Sequence, residues 1–139
     1  MNRAFLVPFV LHFGLIAAIY AWLLLARSAA VKRGDSTVGD FHHASGDPPS
    51  AAPIARNLSN QFELPTVAWF CAAVLVALGA VGMADVVAAW AFFVGRVLHT
   101  AVQTLTANVP LRALVFTINA LGVFWLAGHL AWLVLAGTI

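Results

Sequence analysis

Charge is scarce in this 139-residue sequence: seven Lys or Arg and five Asp or Glu make up 9% of the residues, against 63% hydrophobic. Soluble domains carry about 25% charged and about 45–50% apolar residues. A chain this short leaves too much surface exposed to keep such an apolar excess from water. A soluble enzyme is thereby excluded, and so is a disordered chain, which needs low hydrophobicity. Cysteine is nearly missing as well. Cys71 alone allows neither an intrachain disulfide nor a multi-thiolate metal site. His42 and His43 adjoin without a third ligand nearby, so no metal is expected. No Lys/Arg cluster is interleaved with aromatics, and nucleic acid finds no electrostatic footprint. A Gly-rich phosphate loop and a Ser/His/Asp arrangement are also missing.

What the sequence does have is long apolar runs. Residues 4–26, 64–84 and 113–136 contain no charge, and residues 86–106 contain only Arg96. A bilayer core of about 30 Å takes about 20 helical residues, so each run can cross. Continuous runs favour helices over strands, because lipid satisfies no open backbone edge. The expected fold is all-α, an integral membrane four-helix bundle forming one domain over residues 1–139. Its helices are expected at about 4–26, 53–84, 86–106 and 111–136, with a polar loop at about 28–52. The first run is too long for a signal-peptide core and Arg27, Lys32 and Arg33 follow it closely, so it reads as a retained helix. Met83, Ala84 and Asp85 leave room for a tight turn, as do residues 108–111. Pro53 suits a first helical turn, and Pro65 should bend the second helix.

Four crossings place Arg27, Lys32, Arg33, Arg56 and Arg112 on one side, against Arg3 on the other. The basic excess assigns the long loop to the cytoplasm. The Ala/Val/Leu-rich spans and short loops point to a bacterial inner membrane. The five tryptophans fit interfacial belts only in part and otherwise supply packing or lipid-facing mass. His12 and His129, alone on apolar runs, are expected to be packed or interfacial.

Arg96 lies at the middle of its run, where a charge costs about 2.5–3.5 kcal/mol on insertion scales. It must be paired or reach water. His99 and Gln103 follow at helical spacing and form one polar stripe with it. Arg56, Asn60 and Glu63 repeat that spacing on the second helix, which makes Glu63 the expected counter-ion of Arg96. Arg112 begins the fourth helix, and Thr117 and Asn119 are expected to hydrogen-bond between helices. Together these residues describe a polar pocket near the cytoplasmic end. It would suit a small flexible ligand with carboxylates, held bidentately by guanidinium groups, and one ammonium facing Glu63.

Arg56, Asn60, Glu63 and Pro65 resemble the Arg…Asn-x-x-Glu…Pro signature of the membrane-associated proteins in eicosanoid and glutathione metabolism (MAPEG). Val94, Gly95, Arg96, His99 and Thr100 are similar to that family's Val-Gly-Arg-x-x-His-Thr stretch, and Pro110 and Arg112 to its Pro-x-Arg motif. The three motifs keep their order over residues 53–136. The resemblance implies a homotrimer that binds glutathione as co-substrate between protomers, with a lipophilic small molecule and membrane lipids as further partners. It implies a cofactor-binding set of Arg56, Asn60, Glu63, Arg96, His99 and Gln103, with Asn60 and Glu63 on the glutathione backbone. Arg112 is implied as the catalytic arginine that stabilises the thiolate. A basic residue ending the first helix also belongs to the family's site, and Arg27, Lys32 and Arg33 compete for that place. Gln103 and Phe116 stand where the family has tyrosines, Ala113 where prostaglandin synthase members have serine, and Ser59 where those members have arginine. These departures do not support the eicosanoid reactions.

Three functions follow as alternatives: a glutathione-dependent transferase or peroxidase for lipophilic electrophiles; a non-catalytic scaffold or lipid-binding member of the same fold; and a small ion-conducting oligomer built on Glu63, Arg96 and His99. The third is weakened by a single acid among more numerous bases.

Overall fold

A computed structural model of the chain describes residues 2–43 and 46–137, and among these no strand occurs. The elements are α1 (Asn2–Arg33), a 3₁₀ turn (Val38–His42), α2 (Ala52–Asn60), α3 (Leu64–Ala77), α4 (Met83–Leu105) and α5 (Val109–Leu135). Four stretches are long and apolar enough to span a membrane: α1, α2 with α3, α4, and α5. The all-α four-helix architecture is therefore present, with the second span broken in two.

The boundaries differ from the sequence reading in three places, each for a local reason. First, α1 runs on to Arg33, taking in residues assigned to the loop. Lys32 and Arg33 fill its last turn, where cations favour the helix dipole. Gly34, at φ 79°, ends it. Its N–H bonds the carbonyl of Val31 and the N–H of Asp35 bonds that of Ala30, both at 3.0 Å, the paired C-terminal pattern that requires a left-handed residue. Second, α3 stops at Ala77 instead of reaching Ala84, closed in the same way at Gly79 (φ 65°). Asp85 is consequently not a turn residue. It lies in the first turn of α4 and its carboxylate accepts the N–H of Gly82 at 2.7 Å. Third, Pro65 ends one helix and opens another: it occupies the first turn of α3, where its missing donor costs nothing, and the break falls at residues 61–63.

The loop after α1 is tied down. Arg27 donates to both carboxylate oxygens of Asp47, at 2.6 and 2.8 Å, and its guanidinium lies 5.1 Å from the ring centre of Phe41.

The core joins Phe5 and Phe9 of α1 to Ala68, Ala72 and Leu75 of α3, Ala88 and Phe92 of α4, and Val123 and Leu126 of α5. A second cluster packs Ile16, Ile19 and Leu23 against Ile54 and Leu58 of α2. Outward-facing apolar residues such as Leu24, Phe70, Leu121 and Phe124 remain exposed, as a lipid-facing surface requires. The packing between α4 and α5 is the most extensive, and two glycines allow it. A Cβ on Gly95 would meet the backbone nitrogen of Asn119 at 2.5 Å, and one on Gly122 the carbonyl oxygen of Ala88 at 2.5 Å. Small residues let membrane helices approach closely enough to pack without a hydrophobic driving force.

Gly95→Ala and Gly122→Ala should each lower stability by about 1–3 kcal/mol, the range of overpacking in a tight core. Gly14→Ala, with nothing within 4 Å of the added carbon, should not destabilise and should gain up to about 1 kcal/mol of helix propensity. Denaturant unfolding in detergent micelles measures all three.

Candidate functional site

The break between α2 and α3 exposes the four carbonyls that end α2, and such groups need donors when they are shielded from water. All four have them. Leu58 and Ser59 accept the backbone N–H groups of Gln61 and Phe62 at 3.0 Å. Asn57 accepts the side-chain amide of Gln61 at 3.1 Å. Asn60 accepts the guanidinium of Arg96 at 3.0 Å. Arg96, a fully buried side chain, also donates through Nε to Oε1 of Gln61 at 3.1 Å. The expected Arg96–Glu63 ion pair does not form: Glu63 is exposed and Arg96 is held by neutral acceptors. The break explains this. Residues beyond Asn60 leave the helical phase of α2, so Glu63 faces outward from the bundle and forms no ion pair with Arg96.

Gln61 is the hub that the sequence reading passed over. Its Oε1 also accepts from Nε2 of His12 at 2.9 Å. Nδ1 of His12 accepts the indole N–H of Trp69 at 3.1 Å; because an indole only donates, Nε2 must carry the ring proton. The Gln61 amide further contacts the Asn57 side chain at 3.2 Å and Thr100 at 3.3 Å. One signal was available: Asn57 and Gln61, and Arg96 and Thr100, are pairs four residues apart. The link to His12 spans 49 positions and leaves no local trace. Thr117 and Asn119 also depart from expectation. Each bonds a carbonyl of its own helix, Ala113 at 3.1 Å and Phe116 at 3.4 Å, not one of a neighbour.

Beside this network lies an open cavity of about 680 Å³. Arg56, Asn60, Glu63, His99, Gln103 and Arg112 all line it, with Ala113, Phe116 and Thr117. Arg96 does not; it stands behind the wall and supports it. The side-chain amide of Asn60 donates to Oε1 of Gln103 at 3.0 Å, bridging α2 and α4. His99 is buried, its ring 5.8 Å from that of Phe116, and its Nδ1 lacks a partner among the described residues. Arg56, Glu63 and Arg112 are exposed and none has an ion-pair partner among the described residues. Arg112 sits in the opening turns of α5, which have no acidic residue. A helix N-terminus repels a cation and attracts an anion, so two sources of positive potential add at this spot, and among the described residues no acidic side chain forms an ion pair with Arg112.

Of the three basic residues competing at the end of α1, Arg27 is committed to Asp47 and Arg33 to Asp35 at 2.8 Å, while Lys32 is exposed. Arg27 and Arg56 line a neighbouring groove of about 900 Å³ with Tyr20 and Ser59. Among the described residues no group of three or more His, Cys, Asp or Glu could hold a metal ion.

A family model described as MAPEG family matches residues 5–132. No curated protein and no solved structure matches the chain.

Gln61→Leu should lower stability by about 1.5–3 kcal/mol, the range of a hydrogen bond to a charged group. Glu63→Gln should change it by less than about 0.5 kcal/mol, because Glu63 is exposed and makes no ion pair with Arg96. Unfolding of the two variants in the same detergent separates the amide-held arginine from an ion pair: equal losses would restore the ion pair.

Proposed function

The chain belongs to the MAPEG family of membrane proteins, and on that premise we propose that it is a glutathione-dependent membrane transferase or peroxidase acting on lipophilic electrophiles. One observation carries the reading: Arg112, unneutralised at a helix N-terminus, faces the same cavity as Arg56, Glu63 and the bridged amides of Asn60 and Gln103. Glutathione carries two carboxylates, an ammonium and a thiol. Arg56 suits a carboxylate, Glu63 the ammonium, and the Asn60–Gln103 bridge the peptide groups. His99 brings a buried ring nitrogen that has no partner among the described residues.

A thiol of pKa about 8.5 is mostly protonated at neutral pH, and an adjacent guanidinium favours the thiolate, which is the nucleophile. Arg112 would supply that field together with the α5 terminus. The thiolate attacks the electrophilic carbon and the leaving group departs with its electron pair. In peroxidase chemistry it attacks the distal oxygen of a hydroperoxide instead: the O–O bond breaks, the alkoxide leaves and is protonated to the alcohol, and a second glutathione thiol converts the resulting sulfenic acid to the disulfide and water. Lipophilic electrophiles reach the cavity from the bilayer that surrounds the apolar helix faces. Assembly as a homotrimer, a cytoplasmic long loop and a bacterial inner membrane belong to the same proposal. The trimer rests on family resemblance, the loop's side on Arg27, Lys32, Arg33, Arg56 and Arg112 outnumbering Arg3, and the bacterial membrane on the Ala/Val/Leu-rich spans and short loops.

A scaffold or lipid-binding role is the second reading. It is favoured by Ala113 and Phe116 in the cavity wall, and by the bond in which Asn60 and Gln103 use each other's amides.

Glutathione should raise the melting temperature of the detergent-solubilised protein in a concentration-dependent way, by the equivalent of about 2.7 kcal/mol at a hundredfold excess over Kd. An unchanged melt at millimolar glutathione selects the scaffold. Conjugation of a chlorinated nitroarene should fall about 10²-fold in Arg112→Ala, the loss seen when one donor to a developing anion is removed. Wild-type turnover no faster than the uncatalysed reaction would end the transferase reading.

A further inference from the structure

At the far end of the bundle from Arg112 lies a second polar group that the proposed function does not use. Asp85, in the first turn of α4, is 1% exposed. Its Oδ2 accepts the N–H of Gly82 at 2.7 Å. Its Oδ1 lies 3.1 Å from the indole nitrogen of Trp125 and 2.8 Å from Nδ1 of His129, both on α5. Asp85 and Gln103 are about 27 Å apart along α4, at about 1.5 Å per residue, so this group and the Arg112 cavity are separate.

The donors fix the histidine. Backbone and indole N–H groups can only donate, so Asp85 presents acceptors on both oxygens, and Nδ1 of His129 carries the proton that points at it. In the neutral ring Nε2 is then the remaining acceptor of an imidazole oriented by a carboxylate. It has no hydrogen-bond partner among the described residues. Asp85 and His129 line a cavity of about 520 Å³, together with Phe124, Trp125, Gly128 and Trp132. Pockets for small ligands span about 300–1,000 Å³ and combine apolar walls with few polar groups. Gly128 matters because it withholds a side chain: a Cβ there would meet nothing within 4 Å. Phe124 and Trp132, 62% and 67% exposed, stand around the opening.

We propose that this cavity is a binding site for a lipophilic aromatic hydroxyl compound, its O–H donating to Nε2 of His129 and its ring lying among Phe124, Trp125 and Trp132. The lining excludes other ligand classes. No Lys or Arg is present to hold an anion, and the carboxylate behind His129 repels one. Asp85 is part of the cavity wall but only 1% exposed, and its oxygens already accept from Gly82, Trp125 and His129, so it is not free to hold a cation. One nitrogen cannot hold a metal ion. A lipid acyl chain would fill the space and leave Nε2 without a partner, whereas a neutral hydroxyl satisfies it. Flat aromatic walls favour a flat aromatic body through offset or edge-to-face contact.

The full chain is reconstituted in phosphatidylcholine nanodiscs, and equilibrium dialysis of 1-naphthol and 1-methoxynaphthalene is compared with empty discs. Saturable binding of one 1-naphthol per chain is expected, at least tenfold tighter than the methyl ether, which has no O–H. His129→Phe should reduce 1-naphthol to the affinity of the ether. Because that change takes a donor from a buried carboxylate, Gly128→Leu is made beside it. Leucine enters open space, leaves the Asp85–His129 pair intact, and should abolish saturable binding of both compounds without altering the melting temperature. Equal affinities for the two compounds would show an apolar hole that an acyl chain fills, and would overturn the proposal. So would unchanged binding in Gly128→Leu, or wild-type binding no greater than that of empty discs. No glutathione takes part, so failure here leaves the transferase reading standing, and the converse holds.

Discussion

A guanidinium at the middle of a membrane helix has to be answered by acceptors on its neighbours, and the way Arg96 is answered shapes this bundle. One acceptor is the carbonyl of Asn60, which is free only because α2 ends there; the other is the side chain of Gln61, the first residue of the break. The arginine and the break therefore require each other. An unbroken helix would leave Arg96 short of a backbone acceptor, and the break without Arg96 would leave a part-buried carbonyl without its donor. Either fault costs about 1–3 kcal/mol or more, in a surrounding where water does not compete. The break in turn brings Asn60 and Glu63 to the cavity wall beside Arg56 and Arg112.

Much of this was legible from spacing. The polar stripe of Arg96, His99 and Gln103, the four spans, and the meeting of Arg56 with Arg112 on one side follow from helical period and the distribution of basic residues. Illegible was the partner of Arg96, because a period of about 3.6 residues holds only inside one helix, and extrapolating it from Asn60 to Glu63 crosses a boundary. Pro65 did announce an irregularity, but a proline in the first turn of a new helix and one bending an old helix read alike. The hub at Gln61 was missed for another reason. His12 meets it only through the packing of α1, a property of tertiary structure.

The same distinction explains the other end of the molecule. Taking residues 64–84 as one run puts Asp85 in a turn, and His129, alone on its own apolar run, reads as packed or interfacial. The left-handed residue Gly79 ends α3 early and returns Asp85 to the start of α4, where a carboxylate caps the helix and reaches α5. Composition could not reveal that, since apolar residues continue straight through the turn. Two of the five tryptophans likewise give their indole N–H to a buried polar group, Trp69 to His12 and Trp125 to Asp85. These two are fixed by hydrogen bonds more than by the position of a membrane interface.

A buried arginine held by amides instead of an acid has a consequence for charge. Pairing with Glu63 would remove two charges together, and the desolvation of both ions can exceed their attraction. It would also consume the one carboxylate lining the cavity of Arg56 and Arg112. With Gln61 and Asn60 as acceptors, a single ion is desolvated, and the carboxylate stays at the cavity. The cavity then keeps two cations and one anion unpaired, a pattern that a solvated surface tolerates and that gains most from a ligand of opposite pattern. A bundle selected for stability alone has no use for leaving Arg112 at a helix N-terminus without an acidic neighbour. That arrangement gains from a negative charge arriving there, which is why the reading of this cavity turns on Arg112 more than on the arginine at the centre of the membrane.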